Sequence, residues 1–429
     1  MTTRKKFDEL IGDRGRDPEF VVARYAQYAE NESAFLAETH SLSYIEQDWP
    51  GPVWRDPVHG AVPLREPLIR DIISTPTFER LWQVQQFGDR WAMASLLRSA
   101  PHSRGEHGLG TWHLVSRQCP DDISLQAAAL LHDAGHTAFS HHGETVFDGE
   151  RNQEWHEEQL HRIITDDRYY ICPVLERHGA DPIEVLANLE HPLLDAPKPH
   201  LCADRIDYIL RDGIASNYVD SRMAGMILDQ LGTTDDHRWF FKDPWAGDVM
   251  ERLLLLLDTA QYSNPMMREV KHQTTALLRH GLERGYLTET DICAGTDDGV
   301  LEKLWAARTP DRALDRLLME FTELGLPRDG IESMGHVMDN YGERFDSFDL
   351  PQKRRHIDPL CAPPGRSESN GRDLRPLSEW REAGYDPRGQ TGFPEIHLPG
   401  IPYLTPSEAG AFGVDREESA YLRDETIVS

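Results

Sequence analysis

Cysteine is scarce in this sequence: five residues in 429, at Cys119, Cys172, Cys202, Cys293 and Cys361. None sits in a CxxC pair, and the closest two are 30 residues apart. That spacing argues against a zinc knuckle or a disulfide framework and favours reduced thiols in a cytoplasmic protein. Long apolar runs are also missing. No stretch approaches about 18 uninterrupted apolar residues, so no membrane span is expected. Residues 1–16 are charged and lack the apolar region of a secretory signal. Positive charge is in the minority, with 45 Lys and Arg against 73 Asp and Glu and a formal net charge of −28. Such a surface repels duplex nucleic acid and anionic membranes. A small nucleotide is not excluded, because salt screens the distant field and a few local cations suffice.

Apolar residues at 39% and charged residues at 28% give a globular balance. The chain is too long for one ordinary core. Residues 78–97, 123–134, 200–211, 249–260 and 266–284 carry helical patterns. Residues 53–64 read as a short hairpin, and Trp239-Phe240-Phe241 as a strand. The fold class expected is mainly α. Residues 1–50 form a helical extension and 51–345 a helical core with the hairpin at its start. Residues 346–429, rich in Pro and Gly, form a loop-rich α+β appendage.

His102, His107, His132, His136, His141, His142 and His156 all lie within 55 residues. His132-Asp133 ends the Ala- and Leu-rich run 125–131, a strong helix former, and Gly135 is the expected left-handed stop. Burying His and Asp beside Leu130 and Leu131 is costly without a partner. A divalent cation is such a partner: imidazole with carboxylate suits Mn, Fe, Ni or Zn, and carboxylate with water suits Mg. For this pair alone, a helix-terminal His with a surface Asp is the bland alternative. Farther along, Asp204, Asp207, Tyr208 and Arg211 fall at i, i+3, i+4 and i+7 and share a helix face. That stripe is either a solvated charged face or a pocket wall with a metal ligand, an aromatic platform and a phosphate-binding Arg.

His107, His132-Asp133 and Asp204 resemble the H…HD…D signature of HD phosphohydrolases. The resemblance is closer to the deoxynucleoside triphosphate triphosphohydrolase branch. It rests on Asp56-Pro57-Val58-His59-Gly60, on residues 75–81, on Gln86-Phe87-Gly88, and on residues 102–108, 131–141 and 203–212, in the family's order. It covers about residues 53–284. It implies an HD-domain helical core with His107, His132, Asp133 and Asp204 holding one divalent cation (Mn, Fe, Mg, Ni, Co or Zn). It implies His141, and His156 paired with Glu144, as catalytic groups, and Arg104 on the phosphate next to the scissile bond. Gln86, Tyr208 and Asp212 would line the sugar pocket, and Arg205 or Arg211 would offset charge on the transferring group. The activity implied is water attack on the α-phosphorus of a nucleoside triphosphate, giving nucleoside and tripolyphosphate, in a homo-oligomer.

The chain departs from the family pattern at several positions. Phe87 replaces a Leu, residues 96–100 replace a VFPGA segment, Gly105 replaces a Phe and Ala138 a Pro. Val270 and Gln273 stand where a Tyr and a Lys help hold the triphosphate tail. Ser74, Glu79 and Trp82 replace the Asp, Gln and Arg of the family's guanine-nucleotide activator site. Two further readings therefore stay open: an HD nucleotidase releasing phosphate from a mono- or diphosphate, and a nucleotide-sensing regulatory protein with a vestigial site.

Overall fold

The computed structural model describes residues 43–48, 51–88, 99–148, 155–216, 218–263, 265–325, 355–364 and 373–385. Helices dominate these residues. The helical core is built around the helix Arg104–Gln118, which packs on the helices Ile123–Leu131 and Ala203–Ala215. Its first turn is fixed by a capping box: the Ser103 hydroxyl accepts from the Glu106 amide, and Glu106 accepts from the Ser103 amide. In the Ile123 helix every residue after the first is buried, which is why its sequence shows a continuous apolar run rather than a stripe. A second cluster joins Ala138 and Phe139 to Leu277, Leu304 and Leu318. The loop after His132-Asp133 is thus pinned between two cores.

At the N-terminal edge the expected hairpin is a three-stranded sheet. Strand β1 (Tyr44–Asp48) pairs antiparallel with β2 (Gly51–Asp56), and β2 with β3 (Gly60–Pro63). The supposed helical extension 1–50 therefore ends in a strand. Its Glu46, Gln47 and Asp48 hide the alternation that marks half-buried strands. The Ser43 amide donates to Glu106, tying this edge to the core helix. Residues 1–42 lie outside the described residues, as do the helical pattern over 89–97 and positions 96–98 of the VFPGA departure.

Trp239-Phe240-Phe241 is a strand, β5, paired antiparallel with β4 (Leu231–Thr233). On its other side β5 runs parallel to β6 (Leu360–Cys361), which pairs with β7 (Arg375–Pro376). The described part of the expected appendage is therefore built into the main unit. Gly247 permits this, since a Cβ there would lie 2.8 Å from the Cys361 sulfur. Trp380 Nε1 donates to the Cys361 carbonyl at 3.0 Å, and Arg381 pairs with Asp248 and Glu251. Residues 326–354, 365–372 and 386–429 lie outside the described residues.

Candidate metal centre and substrate cavity

His107 comes from the core helix, His132 and Asp133 from the turn after the Ile123 helix, and Asp204 from the start of the Ala203 helix. Their ligating atoms converge. His107 Nε2 lies 3.2 Å from His132 Nε2, 3.0 Å from Asp204 Oδ1 and 3.6 Å from Asp133 Oδ2. His132 Nε2 lies 3.6 Å from Asp133 Oδ1 and 3.7 Å from Asp204 Oδ1. Bonds of about 2.1 Å to one cation put neighbouring ligand atoms roughly 3.0–3.4 Å apart. The remaining ring nitrogens are occupied. His132 Nδ1 donates to the Ala129 carbonyl at 2.9 Å, and His107 Nδ1 to Asp207 Oδ2 at 2.8 Å. Each ring can thus offer its Nε2 lone pair inward, the usual backing of a metal-bound imidazole. The donor set fits a divalent cation.

Electrostatics agree. Burial opposes charge on His107, yet Asp204, Asp207 and Asp133 outweigh it and push the ring up to about 10. Burial also opposes ionisation of Asp133, but Arg104, His132 and His136 hold it well below the usual carboxylate range. A cation arriving here replaces a proton that the carboxylates otherwise hold on imidazole.

Arg211 does not reach this site. Its side chain is fully buried, with Nε and Nη2 both 2.9 Å from Asp207 and Nη1 2.6 Å from Asp56. Its expected role on the substrate is corrected: Arg211 locks Asp207, which orients His107. His59 Nε2 also approaches Asp207, at 2.7 Å. Gly110 leaves room for this carboxylate, because a Cβ there would lie 1.8 Å from Asp207 Oδ1. The sequence gives Asp207 only a place on the helix stripe, and Asp56 and His59 only a place in the Asp56-Pro57-Val58-His59-Gly60 motif, whose Asp56 also caps its own turn through the Val58 and His59 amides.

His132, Asp133 and Asp204 of this candidate set line a cavity of about 600 Å³. Arg104, His132, Asp133, His141, His156 and Asp204 line one part of it, and Gln86, Arg205, Tyr208 and Asp212 also line it. Arg104 is held by Asp133 at 2.5 Å, Ser140 at 3.0 Å and the Gln86 carbonyl at 3.1 Å. Glu144, buried behind the wall, accepts from His141 Nδ1 at 3.2 Å and His156 Nδ1 at 3.3 Å. It is also in contact with His136 Nδ1. His136 was not assigned a role, although it stands three residues after Asp133 and its Nε2 lies 3.3 Å from Asp133 Oδ1. Burial keeps His141 neutral, down to about 3, although Glu144 works the other way.

Gly135 is not the left-handed stop expected. The Ile123 helix ends at Leu131, and the left-handed residues are Phe139 and Ser140, with φ of 61° and 50°. Each such residue costs about 1 kcal/mol or more. They are held by Phe139 N donating to Asp297 at 2.7 Å and Ser140 Oγ to the Gln85 carbonyl at 2.6 Å, and they start the helix that carries His141 and Glu144. Gly135 serves another purpose: a Cβ there would meet the His156 carbonyl at 2.0 Å.

The far end is aromatic. The Tyr262 ring stacks on Phe87 at 5.6 Å, its hydroxyl donates to Asp212, and Arg355 covers it at 4.2 Å. His102 Nε2 lies 2.9 Å from Asp212 Oδ1 without hydrogen-bond geometry. The Gln86 side-chain oxygen is buried with no partner. Val270 and Gln273 are buried and do not line the cavity, and Gln273 bonds Glu269 instead. Two departures compensate one another. The Trp82 ring fills the space beside Gly105, where a Cβ would already lie 3.0 Å from it.

Residues 104–211 match the HD domain family. "Metal-dependent phosphohydrolase cns2" of Cordyceps militaris is 26% identical over 324 residues, 73% of this chain and 86% of that protein. "Uncharacterized protein YdhJ" of Bacillus subtilis is 34% identical over 38% of this chain. Human "Deoxynucleoside triphosphate triphosphohydrolase SAMHD1" is 31% identical over 34% of it. The chain spans 49% of YdhJ and 27% of human SAMHD1. A phosphohydrolase structure from Bacteroides thetaiotaomicron shares the fold, with a TM-score of 0.54 at 18% identity, covering 76% of this chain and 94% of that one. Among the described residues no helix is long and apolar enough to cross a membrane. The chain thus matches the HD domain family at residues 104–211 and is similar to a metal-dependent phosphohydrolase along most of its length.

Proposed function

We propose that this protein hydrolyses the phosphoester next to the sugar of a nucleotide. What carries the reading is one cavity lined by His132, Asp133 and Asp204, Arg104, His141 and His156 together with Phe87, Tyr208, Tyr262 and an unpartnered Gln86 oxygen. When bound, the cation lowers the pKa of water and polarises a phosphoryl oxygen. Arg104 grips the phosphate, and Arg205 stands on the cavity wall to offset its charge. His141 or His156, oriented by Glu144, passes a proton to the leaving 5′ oxygen. Gln86 and Asp212 meet the sugar hydroxyls, and Tyr208 and Tyr262 its apolar face.

On the first form of this reading the substrate is a (deoxy)nucleoside triphosphate, and tripolyphosphate leaves. The second form cuts the same bond in a mono- or diphosphate. The charge around the cavity favours the second: six Asp and Glu line it against four Lys and Arg. Arg104 and Arg205 already face Asp133 and Asp195. A triphosphate brings the most negative charge to a wall that already carries an excess of carboxylates. A panel of nucleoside mono-, di- and triphosphates with Mn, Mg, Fe, Co and Ni, read by chromatography, decides between orthophosphate, pyrophosphate and tripolyphosphate as the product. A metal-loaded protein that turns over none of them supports the regulatory reading instead.

Arg104→Lys is expected to lower kcat/KM by at least about tenfold, or 1.4 kcal/mol, because an ammonium cannot replace a planar fork that spans Asp133 and the phosphate. Wild-type kinetics in that variant remove Arg104 from the site. Turnover of a non-guanine nucleotide is expected to be indifferent to GTP. Ser74 Oγ is spent on the Arg70 carbonyl, Glu79 is an exposed carboxylate and Trp82 is packed on Phe78. Tenfold activation by GTP, with growth in mass by light scattering, contradicts this.

A further inference from the structure

We propose that His136, His141, Glu144 and His156 form a second cation site that takes zinc and whose occupation switches hydrolysis off. The four ligating atoms all lie within 4.8 Å of one another. A Glu144 oxygen is 3.2 Å from His141 Nδ1 and 3.3 Å from His156 Nδ1, and His136 Nδ1 touches the other. In a tetrahedral zinc site with bonds of about 2.0–2.1 Å, ligand atoms stand roughly 3.4 Å apart. The cluster therefore closes on zinc with small ring rotations. Its donor set, three imidazoles and one carboxylate, differs from the two imidazoles and two carboxylates of the HD site. Imidazole-rich, four-coordinate sites suit zinc, whereas carboxylates with water suit Mg and Mn.

Two further features fit. His141 and His156 line the cavity, which gives the ion a way in. On binding, each ring moves its proton from Nδ1 to Nε2. His136 Nε2 then faces Asp133 Oδ1 at 3.3 Å, completing a carboxylate–histidine–zinc arrangement. The same Nδ1 atoms cannot both bind zinc and lean on Glu144. An occupied cluster therefore withdraws His141 and His156 from proton transfer. This switching rests on the hydrolase reading above, whereas the binding does not.

The test uses the full chain loaded with Mn and titrated with zinc chloride, with both metals counted per chain by mass spectrometry. Uptake of one zinc without loss of Mn is expected, and cobalt in its place gives the intense visible bands of a tetrahedral site. His156→Asn, on the cavity wall, keeps Mn and loses zinc affinity by about a hundredfold or more. Glu144→Gln does the same if its circular dichroism matches wild type. Asp204→Ala, without Mn, still binds one zinc. One-for-one displacement of Mn with a single cation per chain overturns the site, as does wild-type zinc uptake by His156→Asn. The first equivalent of zinc is expected to slow hydrolysis of AMP or dATP by about a hundredfold or more, reversibly with a chelator. Zinc uptake with undiminished turnover overturns the switch. Absence of turnover before any zinc is added counts against the hydrolase reading and leaves the occupancy result standing.

Discussion

Asp204→Ala is expected to lose the HD cation and, with it, hydrolysis by at least about a thousandfold, or roughly 4 kcal/mol of transition-state stabilisation. Asp204 is the cleanest of the four proposed ligands to remove. Its side chain is 32% exposed, whereas that of Asp133 is 9% exposed and pairs with Arg104. Deleting Asp133 would strand a buried guanidinium and confuse loss of metal with loss of fold. Without Asp204, His107 keeps its bond to Asp207 and His132 its bond to Ala129, so the rings stay in place. The measurement is metal content after dialysis, with nucleotide turnover and circular dichroism alongside. Full Mn occupancy in Asp204→Ala would remove this residue from the ligand set.

The largest loss of stability is expected from Arg211→Ala. Removing the guanidinium leaves Asp56 and Asp207 buried together without a counter-charge. Breaking such a pair costs about 3–5 kcal/mol. For a chain of this size that lowers Tm by about 3–6 °C. The effect also reaches the metal, since Asp207 loses the partner that fixes its orientation towards His107. Metal affinity is expected to fall by about 10–100-fold. Calorimetry and metal titration read the two effects separately. Wild-type Tm with weaker nucleotide binding would return Arg211 to the substrate pocket.

The contrast between these residues shows what a helical repeat can and cannot convey. Asp204 and Tyr208 face the cavity, while Asp207 and Arg211, on the same stripe, turn beneath β2. Spacing gives an angle of about 100° per residue, and from Asp204 the two pairs lie on opposite flanks. Which flank meets the cavity depends on where Asp56 arrives, about 150 residues away in sequence, and no local pattern encodes that. His132-Asp133 was legible because burying such a pair after an apolar helix needs a partner. His136 was not, since its role depends on a Glu144 reached through two left-handed residues. The helical core was legible from periodicity. The strand at 44–48 was not, since its polar residues form no apolar stripe, and neither was β6, only two residues long. Short strands of this kind exist through their neighbours rather than their propensities.

The pairing of β6 with β5 has a consequence for the order in which the protein is made. Phe240 sits opposite Leu360, so one partner is synthesised 120 residues before the other. At about 5–20 residues per second, the ribosome takes on the order of ten seconds to cover that interval. During it, Phe240 and Phe241 present an unpaired edge, the surface on which nascent chains associate with one another. Arg355, which covers Tyr262 in the finished cavity, emerges only at the end of this delay. The HD ligands are all translated long before it. Cation capture can thus precede completion of the nucleoside end, and chaperone protection matters most while the sheet waits for its late strand.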